Sequence, residues 1–330
     1  MDLVLDIASS AEFWRQHYPA NRTPRAPEVC VPRECASRKQ DVMMLLPDWI
    51  DGSFVNPTGG VLHVLDIGGQ QGRQTKSLVV HKWNGAIPEG SFYKLEESVY
   101  VQSPGYMFLN AASVLDFPGL VAFGDELCGL YSFDAREERG FKKRIHSLTS
   151  KEKLEKYLLL ANGLRGQMLA MRALQHVVDN SASPMETFDE MTMCLPYRYG
   201  GYGIVQPEMN MSVTLTKKAA QIAKRRKCFL DMGYSDFNLD IEHHGKYDHS
   251  SAEDIASDRA RVNALREMGI EVIELSAEQV NDLFAYEYII ERVARITGKR
   301  LPKNALGATS KRIALRNSIR EWNMSSGKIR

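Results

Sequence analysis

The stretch "LDIEHHGKYDH", residues 239–249, sets three acids, three histidines and a lysine on one short run that opens like a buried strand. Hard divalent cations are held by carboxylate oxygens, and imidazoles titrate near neutrality and can move protons. Upstream, "CFLDMGY" (228–234) reads as a second strand and "SDFN" (235–238) as a four-residue hairpin loop. This register sets Tyr234 opposite Leu239, Met232 opposite Ile241 and Leu230 opposite His243. Leu230, Met232, Tyr234, Leu239 and Ile241 then share one apolar face. The other face carries Asp231 directly opposite Glu242, with Asp240 and His244 alongside. Directly opposed like charges destabilise a sheet, by roughly 0.2–1 kcal/mol per pair. A divalent cation shared by Asp231 and Glu242 would reverse that sign, and a solvated polar face that tolerates the repulsion is the alternative.

Two further acids are candidates for the same place. "SSAEDIASDRARVNALREMG" opens with a capping box, Ser250 and Glu253, and stops at Gly269. Ile255, Val262 and Leu265 mark its buried stripe, and Asp258 falls on that stripe. An inward acid needs a partner, either the carboxylate and histidine face of the hairpin or a nearby arginine. In "SPME", Ser183 stands at the N-cap, Pro184 at the first helical position and Glu186 at the third. A capping box accounts for Glu186, and a site role requires this helix N-terminus to abut the hairpin. Structural Zn²⁺ on His243, His244 and His249 is another option, but the register sends His243 to the opposite face.

The elements around these residues follow a legible order. A helix at 184–194, a strand near 205–214, a basic segment, the hairpin, a helix at 252–268 and the strand "IEVIELS" make an α-β-β-β-α-β unit. Before it, 61–103 carries strand signals ("VLHVLDI", "SLVVHKW", "SVYVQSP") with turns at "GGQQG" and "PEG". Helices are expected at about 104–116 and 118–131, after a Thr149–Glu152 capping box, and over 163–180. "VLDIGGQQG", 64–72, has the look of a methyltransferase glycine turn. Only "RQTK" separates it from the next strand, which leaves no room for a crossover helix, so a hairpin turn is expected. Residues 1–60 are rich in Pro and Arg and carry no assignable motif.

With 330 residues, 44% hydrophobic and 25% charged, the chain has the composition of a soluble globular protein of two or three domains. No run approaches the ~18 apolar residues of a membrane span. The start "MDLVLDIASS" lacks a basic n-region, and the five scattered cysteines suit a reducing cytoplasm. "KKAAQIAKRRK", 217–227, holds six bases and no acid, and 299–330 holds nine against Glu321 alone. Together they are expected to contact phosphates, the alternative being a solvated helix face and a loose tail.

"SPMET", "FLDMGYSDFNLDIEHHGKYDH" and "SDRARVNALREMGIEVIEL" resemble the very-short-patch-repair (Vsr)-like endonuclease branch of the PD-(D/E)XK superfamily, over about 181–280. "SLVVHKWNGAIPEGSFYKLEESVYVQSPGYMFLNAASVL", "LVAFGDELCGL" and "GLRGQMLAMRAL" are similar to the C-terminal region of AbiEi-type antitoxin proteins. No helix-turn-helix stands out in 1–60, where AbiEi proteins usually carry one. The resemblance implies an α/β protein of four segments: 1–60 without assigned role, an α+β AbiEi-like domain at 61–180, a restriction-endonuclease-like α-β-β-β-α-β domain at 181–298, and a basic C-terminal tail at 299–330. It implies cytoplasmic, Mg²⁺-dependent cleavage of DNA (Mn²⁺ being the alternative ion) in a repair or defence setting, with no membrane or assigned protein partner. By position, Asp231 is the metal-binding acid, Glu242 the second acid, Glu186 the acid of the first helix and Asp258 that of the following one. His244 and His249 match the histidines of the repair enzymes' turn, with His249 the candidate general base. His244 stands where the superfamily's E-x-K motif often has lysine, and Lys246 lies four residues beyond Glu242. A non-enzymatic nucleic-acid-binding regulator on an inactive nuclease fold is the competing reading.

Overall fold

The period-two pattern of "CFLDMGY" and "LDI", closed by "SDFN", forms the expected hairpin in a computed structural model that describes residues 1–18, 32, 34–47, 61–67, 74–244, 252–302 and 309–324. The first half runs β1 (Leu3–Val4), α1 (Ile7–His17), α2 (Lys39–Leu45), β2 (Leu62–Ile67), β3 (Leu78–Trp83), β4 (Phe92–Glu96), β5 (Val99–Gln102), α3 (Pro104–Ala111) and α4 (Phe117–Cys128). It continues with β6 (Tyr131–Phe133), β7 (Phe141–Lys143), α5 (Lys151–Leu160) and α6 (Gln167–Leu174). The second half runs α7 (Pro184–Cys194), β8 (Glu208–Thr214), α8 (Lys217–Ala223), β9 (Lys227–Tyr234), β10 (Leu239–His244), α9 (Ala252–Glu267), β11 (Glu271–Ser276), α10 (Ala277–Asn281), α11 (Leu283–Ile296) and α12 (Thr309–Met324). The protein is mixed α/β, with several small sheets. Among the described residues, no helix is long and apolar enough to cross a membrane.

The four-stranded sheet has the order β11-β10-β9-β8. β8, β9 and β10 are antiparallel, and β11 returns parallel to β10 after α9, the crossover that a parallel pair requires. Leu239 pairs with Tyr234, Asp240 with Gly233 and Ile241 with Met232, as the loop length demands. The ladder between β9 and β10 ends there. On the other side of β9, pairing passes from Met209–Met232 to Met211–Leu230, skipping Asn210 and Asp231, and Asn210 takes a left-handed φ of 51°.

The strand rolls over at this point. Met232, Tyr234, Leu239 and Ile241 enter the larger core with Phe188 of α7, whereas Leu230 and Cys228 enter a smaller core with Ala219, Ala223, Val262 and Leu265 of α8 and α9. A Cβ on Gly233 would lie 3.0 Å from Met211 Cβ and 3.3 Å from Leu230 Cβ, so these two share the face of Gly233 and Asp240. The expectation that Leu230 shares a face with Met232 is therefore overturned. Strict alternation fails because both strands break step at Asn210 and Asp231.

Other expectations are corrected in detail. β2 and β3 pair in parallel rather than as a hairpin, Leu62 with Leu78 through Ile67 with Trp83; a connection too short for a crossover helix does not by itself fix the direction of the pair. The cap of α5 is Ser150, which accepts from Lys153 N–H, rather than Thr149. The helix expected over 163–180 is confined to Gln167–Leu174, because Gly166 is left-handed at its start. Ile255 is 38% exposed, so the buried stripe of α9 begins further on. Ser250 lies outside the described residues.

The described part of the basic tail is packed rather than loose, and the protein itself takes up three of its arginines. Leu315, Ile319 and Trp322 of α12 are buried in the larger core. Arg312 pairs with Glu287, Arg316 donates to the Val280 carbonyl and lies 4.7 Å over the Tyr286 ring, and Arg320 lies 5.5 Å over Phe188. Arginine can enter such places because its planar, weakly hydrated head stacks on aromatic faces. The larger core draws side chains from all four segments of the chain, from Leu3 to Trp322.

Candidate active site

Asp231 sits where β9 rolls over, and its carboxylate does what the ladder no longer does: Oδ2 accepts the His243 N–H at 3.3 Å. From this seam the side chain lies between two acids on opposite faces of the sheet. On one side, burial and then Glu242 push the Asp231 carboxyl up to about 6, with Arg261 acting the other way. On the other, burial and then Asp231 push the Glu186 carboxyl up to about 8. The helix N-terminus that carries Glu186 therefore does abut the hairpin.

Glu186 is also a cap. Ser183 Oγ accepts its N–H at 3.1 Å, and Glu186 Oε2 accepts the Ala182 N–H at 2.7 Å. The reciprocal bond reaches the residue before the N-cap, a variant of the capping box. The capping reading of Glu186 holds, and the abutment that a site role requires is present.

Glu242 is fully buried, and both its oxygens accept from the Arg261 guanidinium. Arg261 also donates to the Phe229 carbonyl at 3.4 Å. Beside it, Asp240 is wholly buried, and burial, then Glu242 and Asp231, push its carboxyl up to about 10. Neither of its oxygens accepts from a donor, so at neutral pH Asp240 keeps its proton and offers it to Glu242. Asp258 is more than a third exposed and faces Arg261 Nε at 4.0 Å. Of the two partners weighed for Asp258, the arginine is present among the described residues. Arg261 is what α9 delivers to the hairpin.

Sequence reasoning missed a dyad on the α7 side. His243 Nδ1 lies 2.7 Å from Oδ2 of Asp189, a fully buried acid whose Oδ1 accepts from Tyr286 Oη at 3.5 Å. Burial disfavours the imidazolium, but the bond to Asp189, with Glu186 and Asp231 near, holds its pKa above the ordinary value. Asp189 stands three residues after Glu186, on the same side of α7; that spacing was the available signal. The main chain of His244 pairs with Ser276. Its side chain, Lys246 and His249 lie outside the described residues.

Glu186, raised by burial and by Asp231, fits with Asp231 a shared cation, which would turn their repulsion into attraction. Glu242 fits one less well, because Arg261 already takes both its oxygens. Among the described residues, no three His, Cys, Asp or Glu side chains converge as a metal's ligands do. Mg²⁺ needs only one or two carboxylates with waters. Of the run 217–227, Lys218 pairs with Glu267 at 2.6 Å and Arg225 donates to Ser257 Oγ at 2.7 Å, while Lys217, Lys224, Arg226 and Lys227 remain exposed. Comparison of the chain with family models, curated proteins and solved structures finds no match to any of them.

Proposed function

We propose that this chain is a metal-dependent nuclease that hydrolyses phosphodiester bonds in DNA with Mg²⁺, its second half a restriction-endonuclease-like domain of Vsr type behind an AbiEi-like first half. The observation that carries this reading is Asp231, set at the end of the hairpin ladder between Glu186 of a helix N-terminus and Glu242 of the next strand. Glu186 and Asp231 would hold the ion, and Glu242 would join them only on release by Arg261. When bound, the ion supplies positive charge against the scissile phosphate and lowers the pKa of a water. In the reaction a water oxygen bonds to phosphorus as one P–O ester bond breaks; one water proton leaves to a base and the departing oxygen gains one from solvent. His249 keeps the base role that the resemblance implies. His243, aligned by Asp189, keeps a proton close to the acids. The exposed bases of α8 and the turn after it supply phosphate contacts.

One observation favours the second reading, a regulator that uses a nuclease fold to bind nucleic acid: Arg261 neutralises Glu242 as a metal would. Incubation with plasmid, mismatched duplex and single-stranded DNA, with Mg²⁺ or Mn²⁺, decides between them. A nuclease cuts at least one substrate and loses that activity in Asp231→Asn. A regulator binds DNA without metal, cuts none and is indifferent to the substitution.

A further inference from the structure

The β6–β7 hairpin belongs to the first half of the chain, yet it is fastened to the N-terminus of α7. Tyr131 Oη lies 3.2 Å from Thr187 Oγ1, which in turn lies 2.9 Å from Ser181 Oγ. The Leu130 N–H donates to the Ser181 carbonyl at 2.7 Å. These bonds anchor the hairpin one residue away from Glu186. Lys143 pairs with Tyr131 across the antiparallel ladder, so both side chains leave the same face, the face turned to α7. Tyr131 is buried there while Lys143 remains exposed. The Lys143 charge reaches both acids, opposing the burial that raises Glu186 and Asp231. Lys142, the next residue back, pairs with Ser132 and leaves the other face.

In the nuclease reading one position departs from the superfamily motif. Two residues after Glu242 stands His244, where the E-x-K motif carries an ammonium. We propose, resting on that reading, that Lys143 enters from the first half of the chain to contact the phosphate beside Glu186 and Asp231, and takes the part of that lysine. An ammonium binds phosphate as a point charge, so it can act from any strand that brings it within reach. The first half then completes the site as well as supporting it.

Single-turnover cleavage by Lys143→Ala, Lys143→Arg, Lys142→Ala and Asp231→Asn tests this, with DNA affinity measured separately in EDTA. Lys143→Ala is expected to cut about 10²–10³-fold more slowly, the loss typical of one donor to a developing oxyanion, while its DNA affinity stays within a few-fold of wild type. Lys143→Arg recovers most of the rate, and Lys142→Ala keeps all of it. If Lys143→Ala cuts like wild type while Asp231→Asn is dead, the Lys143 assignment is wrong and the nuclease reading stands. A rate loss matched by an equal loss of affinity also overturns it, because Lys143 would then be only a DNA tether. If wild type cuts no substrate with either ion, both fall.

Discussion

Glu186→Gln separates the two parts that the acid at the start of α7 plays. As a cap the side chain is needed as an acceptor for the Ala182 N–H at 2.7 Å, and a glutamine oxygen accepts equally well. As one of an acidic pair it matters as a charge. Burial and Asp231 hold its carboxyl at about 8, against an ordinary 4.5. A raised acid binds its proton more tightly in the folded chain than in the unfolded one. Its stabilising contribution is therefore complete below pH 4.5 and is lost as pH rises through about 8. At about 1.4 kcal/mol for each pH unit between those values, the loss is on the order of 5 kcal/mol. Asp231, held at about 6, shares part of it. Glutamine is neutral throughout. In EDTA, urea denaturation should find the two proteins equal near pH 4.5 and the variant more stable by about 2–4 kcal/mol near pH 8.5. Mg²⁺ should then stabilise wild type by mass action and leave the variant unmoved. A variant that is weaker than wild type at both pH values, by the ~1 kcal/mol of a damaged cap, would mean that no acidic pair exists.

Arg261→Met strands Glu242 in the interior without its partner. Stability near pH 7 should drop by about 3–5 kcal/mol, which urea denaturation would show; an unchanged stability would dissolve the clamp. Gly200→Ala puts a Cβ at φ 96° into the Lys311 carbonyl, so α12 should lift at a cost of about 2–4 kcal/mol. Trp322 fluorescence should move with it, and unchanged emission would refute that docking. Alanine at Lys224, Arg226 and Lys227 should flatten the salt dependence of DNA binding, by about 0.9 log unit for each phosphate that these bases neutralise in wild type. Arg312→Ala and Arg316→Ala should instead lower the melting temperature and leave the slope alone.

The hairpin register and the order of elements from residue 184 onward were legible because a period of two and a fixed loop length leave one solution. The pairing of Glu186 with Asp231 rested on a helix end meeting a strand, which no spacing encodes. The roll at Asp231 was hidden because its cause, the left-handed Asn210, lies on the neighbouring strand. Arg261 was hidden because a three-carbon stem lets a residue off the apolar stripe reach the core. In the tail, Leu315, Ile319 and Trp322 recur at four and three residues, an amphipathic signal outweighed by the count of bases.

The bracing of α7 by α12 has a consequence for how the chain is made. More than a hundred residues separate the end of α7 from the start of α12. A ribosome adding 5–20 residues per second needs about 6–23 s to cross that distance. Through that interval Phe188 lacks the arginines that later cover its ring, and Phe123 lacks Trp322, its edge-on neighbour at 6.0 Å. A nascent chain at that stage exposes apolar surface on the helix that carries Glu186 and Asp189, which makes it a client for chaperones and a target for proteases. The acids are seated late, and a chain stalled before residue 309 holds every candidate site residue without the helix that braces them.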